Sequence, residues 1–130
     1  MLIVDASIAV QMALHGQRPA RLAEEDLAAP PLLWSEATSA LHELAFRGEI
    51  EPDAAVIAIE AIAGLGISRH DHPQLYLEAS RVARRLGWAK TYDAEYVALA
   101  MLSRASLLTR DARLRRGASR LITAIGPADL

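Results

Sequence analysis

The chain has no cysteine, and its 130 residues include a single lysine, Lys90, and a single phenylalanine. Without cysteine there is no thiolate zinc site and no thiol nucleophile, a pattern that fits a reducing compartment. No apolar run reaches the length of a membrane span, and no basic segment precedes an apolar one at the N-terminus. The expectation is therefore a soluble, cytoplasmic protein with no membrane partner and no signal peptide. A Gly-rich phosphate loop is also missing, as are repeats, linkers and low-complexity tracts. At 52% hydrophobic residues the chain is too apolar for disorder. Its length suits one domain with its own core, spanning residues 1–130.

Basic residues are scarce over the first 80 positions, four against twelve acidic ones, whereas residues 81–120 hold ten against three. All but Lys90 are arginine, the better planar, bidentate ligand for phosphate. Their clustering in "SRVARRLGWAK" and "TRDARLRRGASR" fits a polyanion-binding surface and fits a solvated helix face equally well.

What the chain does have is a repeated pattern of short apolar runs and helical stretches. "MLIVDAS" opens with Leu2, Ile3 and Val4, an unbroken aliphatic run of the kind found in strands covered on both faces. A helix is expected over Ile8–Leu14. Ala37, Ala40, Leu41 and Leu44 form an apolar stripe in "APPLLWSEATSALHELAFRG", with Gly48 as its stop. "PDAAVIAIEAIAGLG", "PQLYLEASRVARRLG" and "DAEYVALAML" read as further helices, and "ISRHD", "ASLLTRD" and "RLITA" as further strands. Strands alternating with helices imply an α/β fold, a parallel sheet with helices on both faces.

Two acids end strands. Asp5 closes "LIVD" and Asp111 closes "SLLTRD", at the sheet edge where such folds bind ligands. Asp93 begins the helix leading into the second of these strands, and Glu36 lies near the start of the helix after "APPLLWS". Each has an ordinary reading: Asp5 and Asp111 as helix caps, Asp93 as an acid favoured by the helix dipole, Glu36 as a surface glutamate. Together they point to a negative cleft that a cation would neutralise. An all-carboxylate donor set suits a hard ion such as Mg²⁺ or Mn²⁺.

The set "VDAS", "SEATSAL", "TYDAEYVALA" and "LLTRD" resembles the PIN domain, and for a chain of this length it is most similar to VapC, the toxin of VapBC toxin–antitoxin pairs. The match runs in the right order over nearly the whole chain. The resemblance implies a Rossmann-like, three-layer fold with a short, mostly parallel sheet. It implies an acidic quartet of Asp5, Glu36, Asp93 and Asp111, with Thr109 two residues before the last acid. It further implies a Mg²⁺- or Mn²⁺-dependent endoribonuclease, a homodimer, and a VapB-like antitoxin whose C-terminal part covers the site. Ala112 and Arg113 stand where some relatives carry another acid or Asn, so one metal ion or two stays open.

A metal held by these acids would activate water and offset phosphoryl charge, with Thr109 or Ser7 orienting from behind; Ser7 reads equally as a cap of the first helix. Arg110, Arg113, Arg115 and Arg116 are the candidates to hold the backbone of an RNA substrate. Single strands are the favoured substrate, since their bases and backbone are accessible. Two alternatives remain: a phosphoryl-transfer domain of receiver or dehalogenase type, and a PIN-like RNA- or protein-binding module without chemistry. His15, His42 and the run His70-Asp71-His72 read as structural, Glu43 and Glu95 as solvated acids, and Trp34 and Trp88 as core or dimer contacts rather than base platforms.

Overall fold

A computed structural model describes residues 1–130. Five short strands form one sheet: β1 (Leu2–Val4), β2 (Leu27–Ala29), β3 (Ser68–Arg69), β4 (Ser106–Leu108) and β5 (Ala124–Ile125). The order across the sheet is β3-β2-β1-β4-β5, with every neighbouring pair parallel. Six helices connect them: α1 (Ala6–His15), α2 (Leu32–Phe46), α3 (Pro52–Ile62), α4 (Leu75–Leu86), α5 (Tyr92–Ser103) and α6 (Ala112–Ala118). No helix is long and apolar enough to cross a membrane.

The α/β expectation holds, and the sheet is wholly rather than mostly parallel. One strand escaped the sequence reading. Leu27–Ala29 is completely buried, yet two alanines carry no β-branch or aromatic ring to mark a strand. The last strand also lies further on than "RLITA" suggests, since only Ala124 of that stretch belongs to it.

The chain winds outward from β1 through β2 to β3, then returns to place β4 on the other side of β1. Parallel crossovers are right-handed, so the two halves cover opposite faces. Accordingly α1, α2 and α3 pack together, while α4 packs on α5, and α5 lies against β1 and β4. The winding thus reverses between β1 and β4, the place where doubly wound sheets open a crevice at their carboxyl edge.

Helix ends follow local chemistry. α3 starts on Pro52, whose fixed φ suits a first helical position. α4 stops at Gly87, which takes a left-handed φ of 73° that disfavours any side chain. The apolar stripes meet in one continuous core that includes Ile3, Val4, Leu33, Leu41, Val82, Val97 and Leu107.

Candidate active site

Register places the first pair of side chains. β1 and β4 align Val4 with Leu108, and one step further the same register sets Asp5 beside Thr109. The Thr109 hydroxyl donates to Asp5 Oδ2 at 2.5 Å, and the Asp111 backbone N–H donates to that hydroxyl at 3.0 Å. Both residues are buried, at 5% and 1% exposure.

Asp5 is also the N-cap of α1, so the capping reading and the site reading describe the same carboxylate. Its Oδ1 accepts from the Ile8 N–H at 3.3 Å and from the Ser7 hydroxyl at 2.6 Å. Ser7 in turn accepts from the Arg110 N–H at 3.0 Å. Its hydroxyl therefore ties the two strand-end loops together rather than capping a helix. Asp111 caps α6, its Oδ1 accepting from the N–H groups of Arg113 and Leu114 at 2.9 and 3.2 Å.

Glu36 projects from the second turn of α2 and accepts from the phenol of Tyr96 at 2.5 Å. Tyr96, 1% exposed, is the residue the sequence reading missed. It lies three positions after Asp93 and so shares a face of α5 with it; that spacing, in "YDAEY", was the available signal. Burial, the Glu36 hydrogen bond and the surrounding acids push the Tyr96 hydroxyl far above its ordinary range, so it keeps its proton and can donate it to Glu36.

Electrostatics unite the four acids. Burial raises Asp5 above the usual carboxylate range against its own hydrogen bonds, and Asp111 adds to the rise. Burial likewise raises Glu36, with Asp93 and Asp5 adding. Asp93 is raised by burial and by Asp111, and Arg113 opposes this. None of the four belongs to an ion pair; the recorded pairs are Arg47–Glu49, Arg81–Glu78 and Arg115–Asp129.

Glu95 departs from its reading as a solvated acid. It is 7% exposed and raised by burial and by Glu36. The reason is that α5 is buried continuously from Ala94 to Ala100, leaving no outward face there. His70, Asp71 and His72 form no metal-binding group, and Trp34 stacks under the Arg69 guanidinium at 4.4 Å. Trp88 packs on the core as expected, yet it also lines a cleft of about 590 Å³ with Glu36, Lys90, Tyr92, Asp93 and Arg113. Arg110, Arg113 and Arg116 are exposed, while Arg115 turns to Asp129 at 3.2 Å.

A divalent cation fits this donor set. The four acids offer oxygen only and form no ion pair. Asp5 accepts three hydrogen bonds, and a carboxylate has about four lone-pair sites, so capacity remains. No three acidic or histidine side chains stand close enough to hold one ion by themselves. That sparseness suits Mg²⁺ or Mn²⁺, which retain several waters.

The PIN domain family model matches residues 2–119. Ribonuclease VapC9 of Mycobacterium tuberculosis and a VapC ribonuclease of Mycobacterium bovis are each 34% identical over 115 residues, covering 88% of this chain and 88% of theirs. The crystal structure of PAE2754 from Pyrobaculum aerophilum matches with a TM-score of 0.78 at 28% identity, over 98% of this chain and 90% of that one. The VapBC-1 structure from nontypeable Haemophilus influenzae shares the fold at a TM-score of 0.62 and 12% identity, over 96% of each chain. With the sheet, the acid arrangement and these likenesses in agreement, the chain belongs to the PIN-domain family, in its VapC group.

Proposed function

We propose that the protein is an endoribonuclease of the VapC type, the toxin of a toxin–antitoxin pair, hydrolysing phosphodiester bonds of single-stranded RNA. Asp5, Glu36, Asp93 and Asp111 are the residues that would hold Mg²⁺ or Mn²⁺. One observation carries the reading: Asp5 is buried and fixed by three donors at the β1–β4 switch point, with three further acids close enough to act on its field or on one another's and none of the four in an ion pair.

Bound there, a divalent ion would acidify water in its coordination sphere and offset charge on a phosphoryl oxygen. The chain's own residues supply positioning. Ser7 and Thr109 hold the Asp5 carboxylate in one orientation, and Tyr96 does the same for Glu36. Arg113, on the cleft wall beside Asp93, attracts the phosphate backbone and offsets the negative charge at the entrance. Such positioning, with preset electrostatics, is what in-line attack on a phosphodiester asks of a protein.

A cognate VapB-like antitoxin, a homodimeric state and a cytoplasmic site of action belong to the same proposal and rest on family membership. The phosphoryl-acceptor alternative lacks support, because β5 runs into Gly126 and Pro127 and carries no lysine at its end. The direct test incubates the purified protein with mixed RNA in Mn²⁺ or in chelator and sequences the new ends. Discrete ends that form only with metal support the reading; intact RNA under both conditions overturns it.

A further inference from the structure

We propose that the segment Gly87–Tyr92 is the nucleotide-reading wall of the acid cleft, with the Tyr92 ring stacking on an unpaired base beside the scissile phosphate and Lys90 holding a flanking phosphate. This deepens the ribonuclease reading above and rests on it.

Trp88, Lys90 and Tyr92 all line the cleft that contains Glu36, Asp93 and Arg113. They come from one short connection, between the end of α4 and the first turn of α5. Tyr92 immediately precedes Asp93 and is 55% exposed. A large aromatic ring facing solvent at the mouth of a polar cleft is a ready stacking surface, since aromatic rings bury much area in few rotamers. Lys90, the only lysine of the chain, is exposed and belongs to none of the ion pairs. An aromatic face beside free cations is the combination that grips single-stranded nucleic acid.

The wall is anchored at Trp88. The Trp88 N–H donates to Ala83 O at 2.8 Å, and its indole lies against Gly117 of α6. A Cβ at Gly117 would stand 2.5 Å from the ring, so glycine is what admits the indole. Trp88 is therefore packed in place as the backing of the wall, and Tyr92 carries the free face. A packed Trp88 loses little freedom on binding. The ligand class follows: single-stranded RNA with an unpaired base next to the cleaved bond, because a base stacked inside a duplex offers no face to the ring.

The test uses the full-length protein and a labelled single-stranded oligoribonucleotide carrying one cleavage site mapped with the wild type. Binding is read by anisotropy in chelator, against the same oligonucleotide with an abasic ribose on either side of the cleaved bond. Tyr92→Ala is expected to weaken binding of the intact oligonucleotide about 10- to 100-fold, Tyr92→Phe to restore it, and Tyr92→Leu not to. With the abasic ribose at the stacked position, wild type and Tyr92→Ala are expected to bind equally. Lys90→Gln should lower the salt slope by about one. The proposal is overturned if Tyr92→Ala binds the intact oligonucleotide as the wild type does, or loses equally on intact and both abasic forms. It is overturned too if sedimentation shows that the loss follows conversion of a dimer to monomers, which would make Tyr92 a contact with a second copy. If the wild type cleaves and binds while Tyr92→Ala matches it, only the wall falls. If the wild type does neither, the ribonuclease reading falls with it.

Discussion

Replacing Thr109 with valine keeps the shape of a side chain that is 1% exposed and deletes one oxygen. That oxygen donates to Asp5 Oδ2 at 2.5 Å and accepts the Asp111 N–H at 3.0 Å. A hydrogen bond to a charged group contributes about 1.5–3 kcal/mol, and an orphaned buried polar group costs about 1–3 kcal/mol. The two are coupled through one atom, so we expect a loss of about 2–4 kcal/mol at pH 8 in chelator rather than their full sum. The loss should shrink with acidity. The Thr109 bond favours the ionised form of Asp5, so its removal raises the folded-state pKa of Asp5 still further. The wild type is thereby favoured more as pH rises through the Asp5 pKa and less below it, where a neutral acid leaves a bond of only about 0.5–1.5 kcal/mol. Urea unfolding over a pH series from 8 down into the acid range measures this, with Thr109→Ser as the control that keeps the hydroxyl. A loss that stays constant over the whole series, or a Thr109→Ser variant as unstable as Thr109→Val, would refute the reasoning.

Metal should raise the melting temperature of the wild type. At tenfold above its dissociation constant an ion bound only by the folded state adds about 1.4 kcal/mol, or about 4–6 °C for a domain this size. Asp93→Asn should show less than half that shift, and an equal shift would remove Asp93 from the ion site. In chelator the raised acids Asp5, Glu36 and Asp93 contribute stability that is fully present below the ordinary carboxylate range. That contribution is lost as pH rises through their raised values, so the metal shift should be larger at pH 8 than at pH 5. Arg113→Gln should lower the salt slope of RNA binding by about one, whereas Arg115→Gln, whose guanidinium is engaged by Asp129, should leave it unchanged; the opposite result would relocate the backbone contact. Gly117→Ala, which helix propensity alone would favour by about 1 kcal/mol, should instead lower the melting temperature and shift Trp88 emission in a Trp34→Phe background, because the indole must move. A higher melting temperature with unchanged emission would contradict the close approach.

The strand-end acids were legible because they follow aliphatic runs: "LIVD" and "SLLTRD" announce both the strand and the charge at its edge. The link between them was not. The Thr109–Asp5 bond spans 104 positions and exists only because β4 returns to pair with β1, a property of the whole winding rather than of either segment. β2 stayed hidden because Ala28 and Ala29 mark a strand only by their burial. Nothing within an apolar helix sets Tyr96 apart, and only Glu36, 60 positions away in the chain, reveals what its hydroxyl does. The arginine cluster was visible as a count, but which of its members are engaged by acids was not. Arg81 bonds Glu78 and Arg115 bonds Asp129, while Arg113 lines the cleft.

The central claim is that the four-acid site hydrolyses RNA with a divalent cation. Single-turnover cleavage of a single-stranded RNA by the wild type, Asp5→Asn and Asp93→Asn, each purified from cells lacking the wild-type gene, tests it most directly. Cleavage by the wild type in Mg²⁺ or Mn²⁺, none in chelator, and rates at least about 100-fold lower in both variants are expected, since a carboxamide keeps the shape but loses the anionic oxygen a hard cation takes. Wild-type rates in folded Asp93→Asn, or cleavage that persists in chelator, would contradict it.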